Sequence, residues 1–399
     1  MSKIIVHIDL NYFFVRCEEI KDPSLENKPV AVGHSGRAGI VSTCSYKARE
    51  KGVSSGMPMF KAIQKCPNLI IRPVDFEFYS VLSREFILYV KSYTKKIEIA
   101  SVDECYADFT DAMKNVTDPI AFFRKFQRGL YNKTKLFCSI GIATNKFLAK
   151  MGSDYKKPHG ITIFRKRDFK EKLYPINIAN MYGIGKKTAP RLQNIGINTI
   201  GDLARKIAAD DEDVKHLTGK FYYTLKAWVN GDGNDEIINR NEDESKSIGT
   251  STTLSNDSDD YEEFRNVLKM LSKDISKRAK SENKLGKTVI LTLKDTNFVS
   301  QTKSITIKNP TNNDNDIFDC CLDLLDKHYD GRLIRLLGVT LTNLIDYKDV
   351  VVQMTFLDFK EAEEEMSTKL LINDLNRRLS KPMLFRASDI ELYNKEKNK

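Results

Sequence analysis

An α+β protein of several domains is predicted by three features of the sequence. A β-α-β-β-α-β order of apolar periodicities runs through the first 145 residues, a second such order occupies 246–345, and an acidic, apolar-poor segment separates them. At 399 residues, with roughly 150 residues per domain, two or three domains fit, or up to four if they are small.

Residues 4–10, IIVHIDL, form a short buried strand that ends in a carboxylate. Residues 11–76 are dense in turn signals (Asp22-Pro23, Lys28-Pro29, Gly33 to Gly39, Gly52 to Pro58, Cys66-Pro67) and read as a small subdomain inserted after that strand. Helical spacing runs from Phe76 to Val90. IEIA and CYADF then form two strands around Ser101-Val102-Asp103-Glu104, followed by a helix near 118–134 and the strand FCSIGIA at 137–143. Short helices fill 166–233. A linker is placed at 234–246, within the polar run NDEIINRNEDESKS. The second pattern contains a helix at 260–280, with Phe264, Leu268, Leu271 and Ile275 on one face, and strands at 288–294, 303–308 and 335–343. The topology is repeated but the sequence is not, so no internal repeat is inferred. The tail, 346–399, carries VVVQMTFLDF, an acidic helix start from Glu361 to Glu365, and a helical stretch with Met366, Leu370, Leu371 and Leu375.

Composition narrows the function. With 41% hydrophobic and 30% charged residues the chain is ordinary globular protein, not a disordered, collagenous or disulfide-built one. Seven cysteines without a CxxC pair, and five scattered histidines, read as reduced thiols in a cytoplasmic protein rather than a thiolate or imidazole metal site. No apolar run approaches the roughly 20 residues a membrane span needs, and the start MSKIIVHIDL is not a signal peptide. Net charge is +10, but residues 1–234 hold 38 Lys/Arg against 24 Asp/Glu, so the basic excess lies wholly there. A solvated positive surface and a polyanion partner both explain that excess.

Asp9 ends a strand and Asp103-Glu104 sits between two strands. Adjacent side chains of an ideal strand face opposite ways, so both carboxylates reach one site only if the chain turns there, as a hairpin corner at 101–104 would allow. Three carboxylates beside a phosphate-binding surface suit Mg²⁺. Two such ions stabilise the attacking and leaving oxygens of an in-line phosphoryl transfer. A lone strand-end Asp is commonly a cap, and an isolated Asp-Glu pair says little. The combination within this topology says more.

HIDLNYFFVRCEE (7–19) and SVDECY (101–106) resemble the two carboxylate motifs of Y-family DNA polymerases, in the DinB or polymerase IV branch. VSTCSYKAREKGVSSGMP (41–58), FCSIGIATNKFLAKMGSDYKKPHG (137–160) and MYGIGKKTAPRLQNIGINTIGDLA (181–204) continue the resemblance in order, over about 1–345. It implies a palm at 1–10 and 77–165, small fingers at 11–76, a helical thumb at 166–233 and a little finger at 247–345. It also implies that Asp9, Asp103 and Glu104 are the catalytic metal ligands, holding two Mg²⁺ ions with Mn²⁺ as a substitute. Asn11 departs from the Asp common at that position, which is not one of the three ligands.

Tyr46 and Arg49 lie three apart in SYKAREKG and share one face of a short helix closed by Gly52. Arg offers a fork of donors to phosphate, and Thr43 precedes the helix near amides that bind anions. Taken alone they read as a surface charge, a packed ring and an N-cap. The resemblance makes Thr43, Tyr46, Arg49 and Lys157 the triphosphate site, with Leu10 and Phe13 beside them, although Phe13 by itself reads as core. It makes Phe14 the steric gate, a ring under the sugar that leaves no room for a 2′-hydroxyl.

MYGIGKKTAPRL reads as helix, Gly183-Ile184-Gly185 turn, helix, with Lys186 and Lys187 at the second helix start. Such a helix-hairpin-helix grips phosphates without reading bases, while a plain helix C-cap explains a single Gly-x-Gly equally well. In the second β-α-β-β-α-β domain Thr292 and Lys294 fall on a polar face, and Lys303, Arg332 and Arg335 are further candidates for DNA phosphates. Gln353, Phe356 and Leu357 resemble a bacterial sliding-clamp peptide with its last two residues reversed. A buried strand after VVV is the other reading. The rest of the tail is similar to UmuC-like relatives.

The expected function is template-directed addition of a deoxynucleotide to a primer 3′-end with release of pyrophosphate, by a monomer that binds primer–template DNA and dNTP and no membrane. The resemblance further implies synthesis across damaged template without proofreading. Two other classes stand beside it: a DNA- and clamp-binding adaptor, against which the three retained carboxylates argue, and a nucleotide cyclase, in which the thumb and little finger have no purpose.

Overall fold

Strand Ile5–Leu10 is covered on both faces, one wholly apolar and the other carrying His7 and Asp9, and all six of its residues are buried. It is the centre of a five-stranded sheet ordered Ile97–Ile99, Glu104–Asp108, Ile5–Leu10, Cys138–Ala143, Ile161–Ile163. The structure, a computed structural model, describes residues 3–233, 236–238 and 245–349. The chain divides into two compact units between Glu244 and Ser245.

Alternation along the central strand decides what each face does. Val6, Ile8 and Leu10 join a core with Phe86, Phe123 and Phe126 from helices Phe76–Lys91 and Pro119–Thr134. Ile5 packs instead with Phe147, Leu148 and Met151 of helix Lys146–Tyr155. His7 and Asp9 share that second face, so they point at this helix. The helix lies unusually near the sheet: a Cβ on Gly141 would meet Ala149 O at 1.9 Å, and one on Gly152 would meet Gly141 Cα at 3.0 Å. The two glycines therefore set how deeply the helix seats its side chains.

Helix Phe13–Lys21 follows the strand and buries Phe13, Val15 and Cys17 in the same core as Leu10. Beyond it, Val41–Cys44, Val30–Gly33 and Ile70–Arg72 form a three-stranded sheet. Its own small core of Ala31, Val41, Cys44, Ala48, Met59 and Ala62 takes in helices Tyr46–Glu50 and Met59–Lys65. The edge strand Ile161–Ile163 adds to the elements read from the sequence.

In the region expected to be helix, Gly-Ile-Gly turn, helix, the elements are shorter. A single 3-10 turn, Ile178–Asn180, stands before the glycines, and the following helix, Thr188–Asn194, starts after both lysines. Gly183 has φ +86°, and a Cβ there would meet the Phe221 and Trp228 rings at 2.9 Å, so it is fixed by packing. Gly185 has open space around it.

The second unit has the predicted order: strand Ser247–Ser258, helix Tyr261–Ser281, strands Lys284–Asp295 and Ser300–Thr311, helix Asp314–His328, strand Ile334–Asp346. The sheet is antiparallel, with Lys284–Asp295 and Ile334–Asp346 central. Phe264, Leu268, Leu271 and Ile275 pack on Val289, Leu291 and Leu293 as their spacing predicts. All seven cysteines are free thiols, six of them buried. No described helix is long and apolar enough to cross a membrane.

Candidate active site

Strand register makes the site. Asp9 stands opposite Glu104 in the antiparallel pair, and directly opposed residues share a face. Asp103 lies at the corner just before that strand, where its carbonyl accepts the Leu10 N–H (2.9 Å). The turn at 101–104 therefore brings all three acids to one end of the sheet.

They line one cleft of about 220 Å³ together with Leu10, Phe13, Phe14, Thr43, Tyr46, Arg49 and Lys157. Every catalytic and nucleotide-site residue named from the sequence is in that wall. Asn11, Tyr12, Ser42 and Ser55 also line it, and the sequence does not mark them as site residues.

The sequence also hides a residue at the centre of the charges. Lys150, on the deeply seated helix, donates to Asp9 Oδ2 (3.0 Å) and Glu104 Oε1 (2.8 Å), and lies 3.5 Å from Asp154. One turn of spacing along the helix puts Ser153 on the same face, 2.8 Å from His7 Nδ1. Ser153 Oγ also donates to the Lys150 carbonyl (2.9 Å). His7 Nε2 lies 3.4 Å from Glu104 Oε2 without an aligned hydrogen bond. Lys157 approaches from the following loop and donates to Asp9 Oδ2 (2.7 Å) and pairs with Asp154 (2.8 Å).

Burial raises the Asp9 carboxyl, its contact with Glu104 raises it further, and Lys157 and Lys150 only partly offset this, leaving it at about 7. Burial also pushes Glu104 up, but contacts with His7 and Asp9 and the charge of Lys150 outweigh it and hold that carboxyl below its ordinary value. Burial lowers His7. Desolvation opposes the charge on Lys150, yet Asp9, Asp154 and Glu104 raise it above the usual lysine value. Two neighbouring carboxyls with values pushed apart are a signature of acid–base or metal chemistry.

The expected metal triad is not drawn together as a closed ligand set: among the described residues no three acidic, imidazole or thiol groups form one. Lys150 sits between Asp9 and Glu104, and Asp103 Oδ1 accepts from Ser101 Oγ (2.5 Å). The donor chemistry nevertheless fits a hard divalent ion. The groups are carboxylates at an open cleft, and burial raises one of them, Asp9, to about 7 although Lys150 and Lys157 both donate to it.

On the opposite wall, helix Tyr46–Glu50 is capped by Ser45, not Thr43: Ser45 Oγ accepts from Ala48 N (3.2 Å) and from Val30 N (3.0 Å). Thr43 belongs to the strand. The Arg49 guanidinium lies 5.2 Å from the Tyr46 ring and donates to the Cys44 carbonyl (3.2 Å). Tyr12 packs edge-on to Tyr46 at 5.2 Å, with left-handed backbone (φ 39°) that costs a non-glycine residue about 1–3 kcal/mol. Phe14 stacks on Tyr79 at 4.6 Å and meets Phe76 edge-on, so the ring expected under the sugar is held by other rings. Phe13 is buried in the core.

The second unit corrects one expectation. Lys303 stands opposite Leu291, whose side chain is in the helix-covered core, so Lys303 points to the covered face. Lys294, opposite Ser300 and Leu336, is on the other face with Thr292. Arg332 pairs with Asp330 and lies 3.6 Å from Asp295, while Arg335 sits over Phe298 (4.8 Å) and 3.7 Å from Asp257. The four cations do not form one uncompensated surface. Gln353, Phe356 and Leu357 lie outside the described residues.

The sequence profile of the impB/mucB/samB family matches residues 8–154, its C-terminal domain matches 245–356, and the IMS family HHH motif matches 166–197. DNA polymerase IV of Bacillus velezensis is 37% identical over 98% of this chain and 94% of its own length. DNA polymerase IV 1 of Bacillus subtilis is 37% identical with the same coverage. Among solved structures, a Y-family DNA polymerase chimera of Dbh and Dpo4 superposes with a TM-score of 0.75 at 28% identity, covering 86% of this chain and 99% of that one. An insertion ternary complex of Dbh DNA polymerase gives 0.59 at 28% identity, with the same coverage.

Proposed function

The chain belongs to the impB/mucB/samB family and is a DinB-type, Y-family DNA-directed DNA polymerase of the translesion kind, and from that premise we propose how its own residues carry out the reaction. Asp9, Asp103 and Glu104 would hold two Mg²⁺ ions, with Mn²⁺ able to replace them. Bound there, the ions would lower the pKa of the primer 3′-hydroxyl and neutralise charge on the departing pyrophosphate. Lys157, Tyr46 and Arg49 grip the triphosphate, and Thr43 adds a hydroxyl. Phe14 packs against the sugar and excludes a 2′-hydroxyl. Catalysis is chiefly positioning and electrostatics.

The observation that carries this reading is the register of Asp9 with Glu104 across from Lys157, inside the cleft that also takes Phe14, Tyr46 and Arg49. Around it we assign 1–10 and 77–165 as palm, 11–76 as fingers, 166–233 as thumb and 247–345 as little finger, working as a monomer in the cytoplasm without a proofreading site. Lys186, Lys187 and the open space at Gly185 would meet the DNA backbone, joined by Lys294 and its Ser/Thr-rich face. The clamp contact through Gln353, Phe356 and Leu357 is part of the same proposal.

Primer extension with Mg²⁺ tests it. The wild type should lengthen a primer, and Asp103→Ala/Glu104→Ala should bind the same DNA and lengthen nothing. Extension by that variant would overturn the ligand assignment. DNA binding without extension by the wild type would favour an adaptor.

A further inference from the structure

Lys157 reaches the cleft from a short loop, and the loop is held by two side chains from distant parts of the sequence. Asn11, 2% exposed at the end of the central strand, accepts the His159 N–H at Oδ1 (3.0 Å). Its Nδ2 donates to Ser139 Oγ (2.9 Å), and its own N–H donates to the Phe137 carbonyl (2.8 Å). From the other side, Gln127 Nε2 on helix Pro119–Thr134 donates to the His159 carbonyl (3.1 Å) and the Cys138 carbonyl (2.8 Å). Both backbone polar groups of His159, its N–H and its C=O, are thus fixed by side chains rooted in rigid elements. His159 itself has left-handed backbone, φ 61°, which an ordinary residue keeps only when its surroundings hold it. Two residues upstream is the ammonium that meets Asp9 and Asp154.

We propose that Asn11 and Gln127 form a clamp on the His159 backbone that sets where Lys157 stands, making them positioning residues for the incoming triphosphate. The amide at position 11 matters because it does two jobs at once. Its carbonyl oxygen takes the loop N–H while its NH₂ donates to Ser139, so a carboxylate in its place would lose the donor and leave an added charge buried. The clamp bonds to the loop backbone, Ser139, Phe137 and Cys138, and not to the three carboxylates. Its loss should therefore weaken nucleotide binding and leave DNA binding alone. The proposal rests on the reading of Lys157 as a triphosphate ligand.

The test is single-turnover extension of a primer by the full chain over a range of dNTP concentrations, giving the dNTP dissociation constant and the maximal rate separately, with DNA affinity measured alongside. Asn11→Ala and Gln127→Ala should each weaken dNTP binding roughly tenfold, the low end of what loss of supporting hydrogen bonds around a ligand site costs. The primer–template dissociation constant should not change. Added to Lys157→Ala, neither should weaken dNTP binding further, because each acts through that lysine. Gln127 lines no part of the cleft, so Gln127→Ala decides the question if Asn11→Ala fails to fold. Additive losses in the Lys157→Ala background, or unchanged dNTP affinity in Gln127→Ala, would overturn the clamp. Unchanged affinity in Lys157→Ala itself would instead remove the reading beneath it.

Discussion

The buried charge cluster in the cleft of the first unit and the surface ion pairs of the second unit are built in opposite ways. In the cluster, Lys150 and Lys157 reach Asp9 across 141 and 148 positions, and the Lys150 side chain is 11% exposed and that of Asp9 5%. At the surface of the second unit Lys327–Asp323 at i, i+4 and Arg332–Asp330 are local and hydrated, while Lys284–Asp346 joins more distant residues. A buried pair is costly to form and more costly to break, so it persists where geometry matters more than stability. An exposed local pair contributes little and fixes little, which suits a surface that tracks a phosphate backbone without reading it. The catalytic unit thus relies on geometric definition, and the second on a near-neutral surface.

Removing the buried cation gives the largest contrast. Lys150→Met should destabilise the first unit by about 3–5 kcal/mol in EDTA, because two carboxylates are left facing each other without their shared counter-ion. The chain has one tryptophan, Trp228, stacked on Phe147 at 4.6 Å, so its fluorescence in urea reports this unit alone. Magnesium should restore much of the loss. Lys284→Met is the matched change in the second unit. That lysine is buried too, but its partner Asp346 is 47% exposed and remains hydrated, so about 1 kcal/mol or less should be lost, read by circular dichroism. Equal costs in the two units would break the comparison.

Acidity gives the next effect. Asp9, at about 7, lies above the ordinary carboxylate value, so between roughly pH 4 and 7 the native protein keeps a proton that the unfolded chain has released. On this account metal-free stability falls as pH rises through that window, by at most about 1.4 kcal/mol per pH unit. Glu104, held low, acts in the opposite sense only below its ordinary value, while His7 and His159, lowered by burial, oppose Asp9 up to about pH 6.5, so the Asp9 contribution is isolated against a variant that lacks it. Trp228-monitored melting in EDTA should therefore show the wild type losing Tm relative to Asp9→Asn between pH 5.5 and pH 8. Added Mg²⁺ should reduce that relative loss.

Phe14 carries the contrast inside the cleft, where it is held by stacking rather than charge. Phe14→Ala should raise ribonucleotide incorporation roughly 100-fold relative to deoxynucleotide, about what a steric exclusion of this size is worth. It should do so without moving the pH slope set by Asp9. Unchanged sugar discrimination in matched dNTP and rNTP extensions would reassign the ring to the core alone.

What the sequence discloses follows from the range of the forces involved. IIVHIDL announces a buried strand, and the turn at 101–104 announces that Asp103 and Glu104 can both reach its end. These are local rules, and the registers follow them. Lys150 is hidden because in KFLAK it looks like any exposed helical cation. Only the close seating allowed by Gly141 and Gly152 buries it between acids 46 and 141 residues away. Asn11 does leave a signal, its departure from the family's acid, but its partner His159 is 148 residues on. Thr43 looks like a cap in the sequence, yet Ser45 competes for the same amide and is nearer. Lys303 is misleading for a different reason. Which face a strand residue takes depends on the partner's register, and a strand of alternating polar and half-buried residues does not declare it.

That last correction supplies the smallest and sharpest prediction. Lys294 and Lys303 are nine residues apart on neighbouring strands, yet they point to opposite sides of one sheet. If the open Ser/Thr face lies along DNA, Lys294→Ala should reduce the slope of log affinity against log salt by roughly 0.9, the value of neutralising a single phosphate. Lys303→Ala, on the helix-covered side, should leave the slope alone. Fluorescence anisotropy of a labelled primer–template across a salt series measures both. A reduced slope in Lys303→Ala with none in Lys294→Ala would mean that the DNA meets the helices and not the strands, and the hydrated, weakly charged face would lose the role that the comparison of the two units gives it.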